Sequence, residues 1–310
     1  MDRRIKIRHL QALTEIVRAG SLKRAAERLL LTQPAISRTL AELERIVGAE
    51  LLVRDRGGVR LTPQGAFFHG RAQASLAALQ DGLDGLSPEG GARRMRLRVG
   101  ALPTVAAGLL PEVVRDLLAR APDLRLTIAD GAHAHLTGLL RTGDLDVVAG
   151  LMGSPDSMDG LSFTQLYQEE VAVITRPGHP LLATPDLHRV SDWPVVFPAP
   201  WAAIRPLVER LFIAAGAALP ERRIDTVSGA FGRVHVRQSD AVWFISAGVV
   251  AREVAEGTLA RVGIDTALTR GTVGLMRRDG APDDPAVALF RDCLARAIGR
   301  VAVPPQVERG

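Results

Sequence analysis

The stretch GSLKRAAERLLLTQPAISRTLAELERIVG, residues 20–48, decides the reading of this chain. It predicts two short helices joined by a tight turn. Ser21 is a candidate N-cap, because its hydroxyl can accept from an unpaired amide of the first turn. Leu22, Ala25, Ala26 and Leu29 follow at helical spacing, and the paired alanines let a second helix approach closely. Thr32 repeats the capping signal, and Pro34 falls in the next first turn, where a missing N–H costs little. Ile36, Leu40, Leu43 and Val47 form the buried stripe of that helix, and Gly48 ends it. Its other face carries Gln33, Ser37, Arg38 and Ala41. This is the pattern of a helix-turn-helix. Amides pair with adenine and guanidinium with guanine, so Gln33 and Arg38 suit base edges, whereas Thr32 and Ser37 suit phosphate; Ser21 and Pro34 complete the candidate DNA-binding set.

The next residues, ELLVRDRGGVRLT, place two apolar runs around Asp55-Arg56-Gly57-Gly58 and predict a hairpin. A basic hairpin after a helix-turn-helix is a wing, with Arg54, Arg56 and Arg60 placed for phosphate or the minor groove. Residues 1–60 hold 13 Lys and Arg against 7 Asp and Glu, whereas the other 250 hold 26 against 27. The cationic charge is therefore local to the proposed reader, and double-stranded DNA is the implied partner.

The segment AAERLLLTQPAISRTLAELERIVGAELLVRDRGGVRLTPQG resembles the N-terminal winged helix-turn-helix of LysR-type transcriptional regulators. Ala25, Ala26, Leu29, Thr32, Gln33, Pro34, Ala35, Ser37, Leu43, Glu44, Leu61, Thr62 and Gly65 carry the resemblance. MDRRIKIRHLQALTEIVRAGSLKRAAERL, LYQEEVAVITRPGHPL and the SDAVWFIS segment are similar to the PcaQ/GbpR-like branch. That branch implies either an aromatic-catabolism regulator answering a carboxylated muconate or a regulator of sugar-uptake genes. It often carries Arg in the SRGVV motif where this chain has Ala247.

A length of 310 residues with 47% hydrophobic residues suits two or three compact units. No run of about 18 uncharged apolar residues occurs and the N-terminus lacks a secretory h-region, which predicts a cytoplasmic protein without membrane association. The single cysteine, Cys293, cannot form an internal disulfide and reads as a small core residue. Thr62-Pro63 opens a further helix running to about Leu86. Leu76, Leu79, Leu83 and Leu86 form a short heptad seam along it, a candidate dimer contact. The family resemblance implies paired linker helices, a homodimer assembling to a homotetramer, and contact with RNA polymerase.

SPEGGARR, residues 87–94, reads as a hinge. Beyond it, strands and helices alternate, predicting an α/β domain with parallel sheet. The expected organisation is a winged helix-turn-helix at 1–62, a linker helix and hinge at 63–92, and a two-lobed, periplasmic-binding-protein-like effector domain at 93–303. Lobe I takes 93–168 and 270–303, lobe II 169–269. Such lobes hold a small molecule near strand carboxyl ends and helix starts. Thr104 and Val105, after the first strand, make a candidate anion cradle, and the family resemblance implies that Thr104 touches the effector. Ala132 stands where some aromatic-catabolism members carry threonine. Facing candidates are Ser228, Phe244 and Ser246, and Arg205 at a helix start is a candidate carboxylate partner. His133 and His135 lack further ligands at metal spacing, so neither a metal nor a cofactor is implied.

The sequence holds no G-x-S-x-G elbow, G-x-x-x-x-G-K loop or H-E-x-x-H helix, and no G-x-G-x-x-G after the first lobe strand. An enzyme is not expected. A solute-binding protein would need an export signal and not a basic N-terminal domain. A DNA-binding oligomer without an effector stays open as an alternative.

Overall fold

The computed structural model describes residues 3–55, 58–84, 95–281 and 284–301. The chain divides into two compact units, Met1–Arg93 and Arg94–Gly310.

In the first unit, α1 (Ile7–Ala19), α2 (Leu22–Arg28) and α3 (Gln33–Val47) precede the hairpin β1 (Leu52–Asp55) and β2 (Gly58–Leu61), then α4 (Pro63–Asp84). Leu13, Ile16, Ala25, Ala26, Ile36, Leu40 and Leu43 form the core of the helical part, with Leu51 and Leu52 tying in the hairpin. Burial of the Leu and Ile side chains, each contributing about 1.5–3 kcal/mol, holds the three helices together. Gly48 ends α3 at φ 70, as its lack of Cβ allows. The hairpin pairs Leu52 with Leu61 and Asp55 with Gly58. Thr62 opens α4 by accepting the Gly65 N–H at 2.9 Å. That helix is described as far as Asp84. Leu86 and the expected hinge at 87–94 lie outside the described residues. Of the leucine seam, Leu79 and Leu83 are 41% and 54% exposed.

The second unit contains two five-stranded sheets. The first uses β3 (Arg96–Ala101), β4 (Arg125–Asp130), β5 (Val147–Leu151), β6 (Leu161–Glu169) and, from the end of the chain, β12 (Gly271–Arg278), in the order β4-β3-β5-β12-β6. Between its strands run α5 (Pro103–Gly108), α6 (Leu110–Arg120) and α7 (His133–Thr142), and α11 (Pro285–Val301) packs on α6. The second sheet uses β7 (Val171–Thr175), β8 (Val195–Pro198), β9 (Arg223–Thr226), β10 (Val242–Ser246) and β11 (Ala260–Arg261), in the order β11-β7-β10-β8-β9. Its helices are α8 (Arg205–Ala214), α9 (Gly229–Arg237) and α10 (Ala247–Ala255). The chain crosses between sheets twice, from β6 to β7 and from β11 to β12.

One feature differs from the sequence expectation. The parallel sheets are each completed by antiparallel strands: β12 lies between β5 and β6, and β7 beside β10. α5 and α6 are separate helices, because Pro111 has no N–H to continue the ladder from α5. The segment GAFGRVHVR forms α9. Its glycines and β-branched residues lower helix propensity, but Gly232 is where a Cβ would lie 2.4 Å from the Trp243 ring. Close packing therefore selected the residue that hides the helix.

Cys293 is buried on α11. Among the described residues no helix is long and apolar enough to cross a membrane, and no cluster of His, Cys, Asp and Glu could hold a metal.

Candidate functional site

Helix α3 presents the candidate reading surface. Thr32 accepts the Ala35 N–H at 3.4 Å, which fixes the helix start. Gln33, Pro34 and Arg38 are exposed, and Ser37 is half-buried. Among the described residues the side chains of Gln33 and Arg38 have no partner, so both are available to a base edge. Ser21 has the backbone geometry of an N-cap but makes no side-chain capping bond, contrary to the sequence expectation. Its hydroxyl sits half-buried at the start of α2. Arg60 is exposed on β2, opposite Val53. The side chain of Arg54 and the whole of Arg56 lie outside the described residues. Sequence reasoning gave Glu44 no role. Its carboxylate accepts the N–H groups of Leu51 and Leu52 at 2.9 and 3.2 Å, tying the hairpin to the end of α3.

The second unit holds a cavity of about 540 Å3 at the carboxyl ends of β3, β4, β5, β8, β9 and β10. Thr104, Ala132, Ser228, Phe244 and Ser246 all line it. Ser228 caps α9 through the Phe231 N–H at 3.2 Å, and the hydroxyl of Ser246 caps nothing. Phe244 is fully buried against Phe197 and Phe212, at centroid distances of 5.6 and 5.4 Å. Ala132 starts α7 without a side-chain cap.

Two expected residues are elsewhere. Val105 is fully buried and outside the cavity wall, because the α5 turn directs it into the lobe core. Arg205 is 8% exposed, also outside the wall. Its guanidinium is committed to Glu209 at 2.6 Å, Asp225 at 3.0 Å and the Pro198 carbonyl at 2.8 Å, and it stacks over Phe197. It braces β8, β9 and α8, and is not a carboxylate receptor.

Four residues that sequence reasoning had not assigned to the site shape it. Asp130, Thr226 and Arg233 line the cavity, and Glu169 lies behind Thr104. The Thr104 hydroxyl donates to Glu169 Oε2, and the Gly248 N–H donates to Oε1 at 2.6 Å. Burial pushes the Glu169 carboxyl above its ordinary value, and these two hydrogen bonds work against the shift. Burial, then the Glu169 charge, raises Tyr167. His133, another lining residue, is held below the usual imidazole range by burial, then by Arg141. Its neighbour His135 is exposed, so the pair does not converge. Arg233 donates to Glu253 and to the Val249 carbonyl. An acid at the end of LTIAD could have been noticed at the strand terminus. Glu169 could not, since it meets Thr104 only through the fold.

A helix-turn-helix with exposed polar side chains on its second helix, on one chain with a two-lobed unit that encloses a cavity, is the arrangement of a ligand-responsive gene regulator. The family comparisons give the same answer for both units. Residues 7–66 match the bacterial regulatory helix-turn-helix protein, lysR family, and residues 90–299 match the LysR substrate binding domain. The chain belongs to the LysR family of transcriptional regulators, and is not an enzyme. It is 41% identical over 305 residues to the HTH-type transcriptional regulator PcaQ of Agrobacterium fabrum, covering 97% of each chain. In solved structures the fold is shared with a full-length OxyR variant from Pseudomonas aeruginosa, at TM-score 0.66 and 23% identity over 94% of each chain. It is shared also with full-length CbnR complexed with its target DNA, at TM-score 0.59 and 20% identity over 94% of this chain and 100% of that one.

Proposed function

We propose that this regulator acts in the cytoplasm on promoter DNA and senses a small carboxylate intermediate of aromatic degradation, such as a carboxylated muconate. The likeness to PcaQ supports the pathway. The observation that carries the carboxylate is the cavity wall itself: the N-terminus of α9 opens onto it at Ser228, Gly229 and Ala230. Helix N-termini offer unpaired amides and a positive dipole end to an anion.

Two α3 helices in a dimer read two half-sites of an inverted repeat. The exposed Leu79 and Leu83 on α4 suit the dimer seam. Pairs of dimers form a tetramer that bends the promoter, and effector binding relaxes the bend and exposes a contact for RNA polymerase. The effector does this only through different affinities for the two quaternary states.

The test is a footprint on the DNA upstream of the protein's own gene, with and without muconate-type and aromatic acids at millimolar concentration. A shortened footprint with one of these acids is the expected result. A footprint that none of them changes contradicts the sensor reading.

A further inference from the structure

Helix α3 carries two carboxylates, Glu42 and Glu44, and both are tied to other elements. Glu44 accepts the N–H groups of Leu51 and Leu52 in the hairpin. Glu42 is held by the start of α1. Its Oε2 accepts from Arg8 Nη2 at 3.1 Å, and His9 Nε2 lies 3.3 Å from the same oxygen. The His9 side chain is fully buried, and its Nδ1 accepts the Lys6 N–H at 3.1 Å. In the neutral imidazole the hydrogen therefore sits on Nε2, the atom beside the carboxylate.

Residues four apart on a helix are neighbours, and opposite charges at that spacing attract. Arg38 stands four residues before Glu42, and no other acid of α3 lies three or four residues from it. A guanidinium drawn into that pair must leave it before it can fork onto a guanine edge. The pair is not made: α1 occupies the carboxylate, and Arg38 is exposed without a partner among the described residues. Arg45, three residues beyond Glu42, is exposed as well, and the same restraint keeps the carboxylate from it.

We infer that Arg8 and His9 are positioning residues for operator recognition: by holding Glu42 against α1 they keep the Arg38 guanidinium free to read a base. His9, being buried, acts on DNA only through Glu42. The inference rests on the reading of DNA by α3 proposed above and deepens it, because it makes the specificity of Arg38 depend on residues of α1 some thirty positions earlier in the chain.

Equilibrium binding of the full-length protein to the duplex upstream of its own gene, and to single-base variants of that duplex, tests this. Arg38→Ala first locates the base pair at which discrimination is lost. At that pair, the combined Arg8→Ala and His9→Phe variant is expected to lower the ratio of affinities at least threefold. Adding Glu42→Gln is expected to bring the ratio back to within twofold of the parent, because an amide has no charge with which to capture Arg38. A helix merely tilted by the loss of its tether is not restored by that third change, which supplies no new contact to α1. Folding is checked by thermal melting. Should the combined variant not fold, Arg8→Ala alone, on a side chain 56% exposed, is read with and without Glu42→Gln, with an expected fall of at least twofold. A ratio that stays at the parent value in the folded variant overturns the inference, as does a fall that Glu42→Gln leaves in place. Equal losses on every duplex with Arg38→Ala overturn the base reading itself, and the inference with it.

Discussion

The backbone N–H of Gly248, at the start of α10, donates to Glu169 Oε1 at 2.6 Å, and a Cβ built on Gly248 would lie 2.5 Å from that oxygen and 2.7 Å from Thr104 Oγ1. The crossing of α5 and α10 therefore has no room for a methyl group. Gly248→Ala is expected to destabilise the effector unit by about 1–3 kcal/mol, the usual cost of overpacking. It should also weaken effector binding, since Thr104 must shift. Chemical denaturation and titration on the same variant check both, and an unchanged melting midpoint would show that the crossing yields freely.

Leu30 sits in the helix-turn-helix turn at φ 55 with 92% of its surface exposed. A left-handed conformation costs a branched residue about 1–2 kcal/mol, and an exposed side chain has little packing to offset it. Leu30→Gly is expected to raise the stability of the first unit by about 0.5–1 kcal/mol in urea denaturation, part of the relief being lost to the freer unfolded chain. A destabilised variant would mean that Leu30 makes a contact in the intact assembly.

Acidification should unfold the protein. Burial lowers the pKa of His69, His133 and His179 below the ordinary 6.5. The unfolded chain takes up protons at these positions below about that pH while the native chain resists, so stability present above it is lost as pH falls. Glu169 acts in the opposite sense: its raised pKa favours the native state when protonated, a contribution lost as pH rises from 4.5 through the raised value. The urea midpoint is expected to fall between pH 7.5 and 5.5, and to fall further in Glu169→Gln. A midpoint that rises on acidification contradicts the burial of neutral imidazoles.

Much of the fold was legible because its signals are local. Thr32, Pro34 and Gly48 bound α3 by capping chemistry, and the short hairpin loop placed the wing. What escaped depends on contacts distant in sequence. β6 mixes polar and apolar residues because it pairs with β12 at the far end of the chain, so LSFTQLYQE carries no clear alternation. Helix α9 was masked by the glycine that Trp243 requires. The site divides the same way: strand-end and helix-start residues such as Thr104, Ser228 and Ser246 reach the cavity, as position predicts. Arg205 does not, because Glu209 and Asp225 claim its charge from α8 and β9. Glu169 was invisible for the same reason, its partners lying 65 and 79 residues away.

Arg38 is exposed on α3 beside Gln33, with no partner among the described residues. Arg38→Ala is expected to lower discrimination by about 1–3 kcal/mol at one base pair of each half-site. Competition between single-base operator variants measures this. Equal losses on every sequence would reassign Arg38 to a phosphate contact.

The central claim is that the first unit reads promoter sequence. Equilibrium binding of the purified full-length protein to the duplex upstream of its own gene, and to a shuffled duplex of equal length, across a salt series, tests it most directly. The account predicts tighter binding to the upstream duplex at every salt concentration, with the logarithm of affinity falling linearly with the logarithm of salt as counterions are released. Equal affinity for the two duplexes, or binding that salt does not weaken, would contradict it.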